Sequence, residues 1–223
     1  MVLACSKAGE SVMTVSGSVK GLKKGVLYLQ KVSDSSLFTV DSLEIKGDGS
    51  FVFSTPLESP EIFYLYLNKK DNNDINDRIT FFGEPGNINI QTTWNAFEAK
   101  AVISGSETQK KLEEYRAVMS RFDAKNLELM QASADPKIQE DTEAMDSLQA
   151  VNDNNIRRSY LYAVNYALNN KNSDIAPYIA LAEIADANII YLDSIYHSLS
   201  PEVAKGTYGK ALGSYLEGLR ENQ

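Results

Sequence analysis

One cysteine in a chain of 223 residues excludes a good deal. Cys5 has no second thiol to pair with, so there is no internal disulfide, no C-x-x-C redox pair and no cysteine-based zinc site. Basic side chains are outnumbered, 22 against 30 acidic, and the net charge of -8 repels nucleic acid. No basic, aromatic-interleaved patch offsets that charge locally. Long apolar runs are missing too, since a bilayer-spanning helix needs roughly 20 residues. The longest run, Ile62 to Leu67, is strand-sized, and the segment Ile175 to Leu192 is interrupted by Glu183 and Asp186. No serine sits in a G-x-S-x-G turn and no S-x-x-K motif has its partners. Gly21 to Gly25 and Gly206 to Lys210 contain phosphate-loop residue types without the phosphate-loop spacing.

What is present is a chain long enough to bury a core, with an ordinary globular share of apolar and charged residues. Its hydrophobic period changes near residue 105. Before that point apolar and polar residues alternate in short runs separated by Gly, Asn, Asp and Pro, which predicts about eight strands. They fall near 12–19, 25–32, 36–46, 50–55, 61–68, 78–83, 87–92 and 98–104. In Asn87-Ile88-Asn89-Ile90-Gln91 both isoleucines share one face. Phe63 to Leu67 is apolar on both faces, which predicts a central strand covered on two sides. An Asp-Gly turn at Lys46 to Ser50 and a Pro-Gly turn at Glu84 to Asn87 separate the runs. The expected architecture is an antiparallel β-sandwich or open barrel over 11–105.

After residue 105 apolar residues recur every three or four positions, which predicts an α-helical domain over 106–223 and an α+β chain overall. Leu112, Tyr115, Met119 and Phe122 form one stripe, continued by Leu129 and Met130; Ser106 with Gln109 has the spacing of a capping box. A second stripe, from Met145 to Ala167, belongs to a helix expected to begin near Pro136. Ser200-Pro201-Glu202 reads as a helix start, with a hydroxyl cap, a proline and an acid near the positive end of the dipole. Residues 1–105 carry 10 basic and 12 acidic side chains; residues 106–223 carry 12 and 18. The acidic stretch from Asp135 to Asp153 reads as a solvated helix face.

Few residues invite chemistry. His197, the sole histidine, lies one helical turn after Asp193, a spacing that reads as a surface contact because no nucleophile accompanies it. The loop Asp71 to Asp77 resembles a calcium loop, but counted from Asn72 its sixth position is Asp77 instead of glycine and its twelfth is Gly83 instead of glutamate. It reads as a long hairpin loop, and no metal or cofactor is expected. Eight tyrosines crowd the last third of the chain, among them Tyr160, Tyr162, Tyr166, Tyr191 and Tyr196. Such rings line recognition surfaces or edge a helical core, and the core reading has more weight. Trp94, after a strand, is a candidate exposed anchor, and Tyr191 and Tyr196 are the candidate interaction tyrosines.

Met1-Val2-Leu3-Ala4-Cys5-Ser6 resembles the lipobox of a bacterial lipoprotein, in which the cysteine is acylated. Only four residues precede Cys5, fewer than a secretory signal needs, which points either to a start at a late methionine or to a segment cut from a longer chain. Residues 1–10 are then the lipobox remnant and tether. A wider resemblance follows from ordered pieces: Val15-Ser16-Gly17, Gly25 to Leu29, Asp41-Ser42, Gly49 to Phe53, Gly86 to Ile90 and Ile103 to Ser106. Asn172 to Ala176 and Leu192 to Tyr196, before Leu199-Ser200-Pro201, continue the series. Together they resemble the uncharacterised N-terminal accessory region of Bacteroidetes envelope lipoproteins and thioredoxin-like thiol-disulfide oxidoreductases. In that family the helical part is usually followed by a thioredoxin-like domain with a W-C-x-x-C site. Nothing before Gln223 matches that site, so no catalytic residue carries over.

The resemblance implies a cell-envelope address on the outer membrane facing the periplasm, through a lipid on Cys5, and a thioredoxin-like protein partner. The expected role is a non-catalytic interaction or scaffolding module. Two alternatives stand beside it: the accessory region of an oxidoreductase whose thioredoxin domain is absent or supplied in trans, and a carbohydrate- or peptide-binding module.

Overall fold

The computed structural model describes residues 11–33, 36–69 and 77–221. Cys5 and its tether, and nearly all of the calcium-like loop, lie outside the described residues. The chain divides into two compact units, Met1–Lys110 and Lys111–Gln223.

The first unit contains β1 (Val12–Lys20), β2 (Lys24–Ser33), β3 (Ser36–Lys46), β4 (Ser50–Pro56), β5 (Glu61–Asn68), β6 (Asp77–Gly83), β7 (Gly86–Thr93) and β8 (Val102–Ser104). They form two four-stranded sheets, ordered β4-β1-β7-β8 and β3-β2-β5-β6, so the unit is sandwich-like and not a closed barrel. Period-2 alternation points one face of each strand inward. Met13, Val15, Phe51, Phe53, Ile88 and Ile90 from the first sheet join Leu27, Leu29, Phe63, Leu65, Leu67, Ile79 and Phe81 from the second in one buried core. Each such side chain contributes roughly 1.5–3 kcal/mol by leaving water.

Three details depart from the sequence expectation. β1 and β7 pair in parallel, whereas every other pairing among the described strands is antiparallel. That parallel register seats Gly17 opposite Ile90, so closely that a β-carbon on Gly17 would lie 1.8 Å from the Ile90 carbonyl oxygen. Only glycine fits there. The expected strand over 98–104 shrinks to Val102–Ser104, because residues before it turn. Lys100 N donates to Ala96 O (3.0 Å) and Ala101 N to Glu98 O (3.0 Å), while Phe97 enters the core. Finally, β5 is central as expected, but its second face is not a dry layer. Tyr64 and Tyr66 are half-buried there, with the Arg78 guanidinium 5.5 and 5.6 Å from their ring centres.

α1 (Glu107–Ser133) begins where the first unit ends. Ser106 Oγ accepts from Gln109 N (3.0 Å), as the capping-box spacing predicts. The Gln109 side chain reaches β6 and accepts from Phe82 N (2.8 Å). The first amides of α1 are capped from the β6–β7 turn, where Glu84 accepts from Glu107 N (2.7 Å), Thr108 N (3.2 Å) and Thr108 Oγ1 (2.8 Å). A carboxylate at that position also meets the positive end of the helix dipole.

The remaining described helices are α2 (Pro136–Gln139), α3 (Thr142–Asn169), α4 (Ile175–Ala182), α5 (Ile189–Ser198), α6 (Pro201–Lys205) and α7 (Thr207–Glu221). The helix expected near Pro136 is two helices, because two aspartates each cap a start. Asp135 accepts from Lys137 N (2.9 Å) and Asp141 from Ala144 N (3.1 Å). α6 starts at the expected Ser-Pro-Glu, with Ser200 Oγ accepting from Val203 N (3.4 Å). The core of this unit gathers Ile175, Ile179, Leu192, Ile195, Leu212 and Leu216, all fully buried. Among the described residues no helix is long and apolar enough to cross a membrane.

Candidate functional site

In the sandwich unit Trp94 follows β7 and is held by its surroundings. Its backbone N donates to Lys20 O (3.1 Å), and its Cδ1 would sit 2.6 Å from a β-carbon at Gly21, which has φ of +84°. Lys69 Nζ lies 5.6 Å from the ring centre and also pairs with Asp77 (2.5 Å). The indole is therefore oriented from below and from one side, yet 45 % of it remains exposed. It offers a stacking platform beside a cation.

In the helical unit the tyrosines are mostly structural. Tyr115 is buried and stacks on Tyr162 at 5.8 Å, with Tyr166 at 5.4 Å and Phe122 closing the group onto Tyr162 at 6.3 Å. Hydroxyls tie helices together: Tyr166 Oη donates to Lys111 O (2.7 Å), Tyr160 to Asp186 (2.6 Å) and Tyr215 to Ala185 O (2.9 Å). Burial, with the Glu114 carboxylate secondary, pushes the Tyr166 phenol up to about 12. Burial raises Tyr115 still more, and its Oη has no hydrogen-bond partner among the described residues. Rings spent on packing are not available to line a sugar or peptide site, which leaves Trp94 and Tyr191 as the exposed aromatic candidates for that reading.

The two candidate interaction tyrosines sit on α5 and are not brought together. Tyr191 is 45 % exposed near the helix start, whereas Tyr196 is half-buried with its ring against Gly213. Five residues apart on an α-helix, they point about 140° away from each other. His197 is exposed and meets the Tyr196 ring edge-on at 5.8 Å. Asp193, its expected neighbour, instead pairs with Arg220. No group of three or more His, Cys, Asp or Glu among the described residues is placed to hold a metal ion.

The feature that residue patterns missed is a groove between the end of α1 and the start of α3. Leu129 and Met130 from α1 and Met145 and Leu148 from α3 form its apolar lining, with polar groups such as Asn126 and Asn152 beside them; its volume is about 240 Å³. One end is pinned by Asn155 Nδ2, which donates to Asn126 Oδ1 (2.6 Å) and Phe122 O (3.1 Å). Leu129 is buried, but Met130 is 70 % exposed. Adjacent positions on a helix point 100° apart, so Leu129 and Met130 cannot both enter one narrow core stripe. That adjacency was the available signal. Apolar and polar side chains share the groove walls, and the hydroxyl among them, Ser133 Oγ, donates to Met130 O (2.8 Å), an arrangement for binding instead of bond-making.

Residues 13–112 match the model of a domain of unknown function (DUF4369), a little under half of the 223-residue chain. No curated protein and no solved structure matches the chain. That match covers the sandwich and the first residues of α1, and the rest of the helical unit lies beyond it.

Proposed function

We propose that this chain is a non-catalytic, lipid-anchored module of the cell envelope that holds a protein partner through its helical unit. The groove between α1 and α3 carries the reading: an exposed methionine beside buried leucine, at the end of a two-helix hairpin, is surface that a partner would cover. Leu3-Ala4-Cys5 supports the anchor, with a single acyl-bearing thiol that leaves none for redox chemistry. The ordered resemblance to envelope thiol-disulfide oxidoreductases supports a thioredoxin-like partner near the outer membrane. It equally supports a second reading, an accessory region of such an oxidoreductase. A reading frame that runs past Gln223 into W-C-x-x-C selects the second reading; a stop codon with no thioredoxin-like gene nearby removes it.

Two experiments test the first reading. Metabolic labelling with a palmitate analogue should mark the protein and lose the mark in Cys5→Ala; label that survives the substitution rules out this anchor. A photocrosslinking residue in place of Met130 should give a protein adduct in intact cells, and absence of any adduct rules out the groove as a partner surface.

A further inference from the structure

We infer that the α1–α3 groove receives a basic amphipathic helix from the partner, an inference that rests on the reading of this chain as a protein-interaction module. Its first support is charge. Residues 126–153 contain seven acidic side chains and one basic, a net of -6, while the other residues together carry only -2 of the chain's -8. The structure leaves much of that charge unspent. Glu128 pairs with Lys125 (2.8 Å), Asp135 and Asp141 are occupied as helix caps, and Asp153 accepts from Gln149 Nε2 (2.7 Å). α1 also ends with no basic side chain in its last turn, so the negative end of its dipole adds to the carboxylates. A surface of this kind is complementary to lysine and arginine.

The second support is shape and lining. From Asn126 to Ser133 the α1 wall spans seven residue steps, about 10 Å, or two turns of helix. A channel between two helices takes a third helix by its ridges. Two apolar anchors one turn apart would cover Met130, Met145 and Leu148, and flanking lysines or arginines would meet Asp146, next to Met145 on α3, and Glu140 in the turn before it. Methionine side chains adjust to such anchors without demanding one shape. Other occupants fit worse. A second copy of this chain would bring its own -6 against this one in a two-fold contact. An anionic membrane surface or a nucleic acid is repelled by the same carboxylates.

The test uses the full chain and three labelled peptides of about 14 residues: an amphipathic Leu/Lys helix, a scrambled peptide of identical composition, and a Leu/Glu counterpart. Fluorescence anisotropy should show the Leu/Lys helix binding about tenfold or more tighter than the scrambled peptide, with affinity falling as salt rises. Met130→Gln, at a position too exposed to threaten folding, should weaken that binding about tenfold. Glu140→Gln/Asp146→Asn should weaken it as much and flatten the salt dependence. Equal binding of the scrambled or Leu/Glu peptide, or an unchanged affinity in Met130→Gln, overturns the inference. The in-cell photocrosslink from position 130 reports the underlying reading whatever the partner's charge: an adduct without Leu/Lys binding defeats this inference alone.

Discussion

Replacing Tyr115 by phenylalanine should stabilise this protein, although it removes a polar group from a tightly packed cluster. Tyr115 is 1 % exposed, and its hydroxyl finds no partner among the described residues. Burying a hydroxyl without a hydrogen bond costs about 1–3 kcal/mol. Removing the oxygen forfeits its dispersion contacts, on the order of five neighbours at about 0.1–0.2 kcal/mol each, or roughly 0.5–1 kcal/mol. The ring itself stays stacked on Tyr162 and tilted against Tyr166. The balance favours Tyr115→Phe by about 1 kcal/mol, which for a chain of this size raises Tm by about 2–4 °C. Tyr166→Phe supplies the opposite sign in the same cluster. It deletes the 2.7 Å bond to Lys111 O and should cost about 1 kcal/mol. Urea denaturation followed by far-ultraviolet circular dichroism measures both. A Tyr115→Phe variant less stable than the parent by 1 kcal/mol or more would refute the reasoning, since the hydroxyl would then have to be hydrogen-bonded.

The same phenols set an alkaline limit. Their folded pKa values are raised, Tyr166 to about 12 and Tyr115 further, so the unfolded chain releases these protons first, from about pH 10. Stability is full below pH 10 and falls as pH rises toward 12 and beyond, with Tyr115 contributing up to about 1.4 kcal/mol per pH unit. Denaturation midpoints across that window should show the fall, with a shallower slope in Tyr115→Phe; a flat profile contradicts it. Glu84→Ala removes three hydrogen bonds at the start of α1 and should cost about 2 kcal/mol, while Glu84→Gln should cost less. Hydrogen exchange at the Glu107 and Thr108 amides should accelerate in step; unchanged protection would show that another group caps the helix. Gly17→Ala forces a methyl against the Ile90 carbonyl and should cost about 3 kcal/mol, read as a lower urea midpoint. An unchanged midpoint would show that β1 and β7 can separate freely.

Strands such as β4 and β7 were legible because each buries a single face, so Ile88 and Ile90, or Phe51 and Phe53, announce both a strand and its inward side. Pairing was less legible. Nothing local to Val15-Ser16-Gly17 says that its neighbour is a parallel strand more than 70 residues later; only the glycine hints at a close backbone approach. The cap on α1 was half legible for the same reason. Ser106 lies three residues before Gln109, but Glu84 arrives from another hairpin. The long-helix expectation at Pro136 failed because hydrophobic period carries across Glu140, while the break is made by Asp141 capping anew. Of the candidate site residues, Trp94 and Tyr191 are exposed on separate units, Tyr196 is folded against Gly213, and Cys5 falls outside the described residues. The groove was hidden in two features that each looked ordinary alone, an apolar stripe ending in Leu129-Met130 and an acidic helix face.

The central claim is that the helical unit binds a protein partner through that groove. Photocrosslinking from positions 130 and 145 in intact cells, with Val52 on the exposed side of β4 as control, tests it most directly. The account predicts one discrete adduct from both groove positions and none from position 52. Adducts from position 52 alone, or none from either groove position, would contradict it.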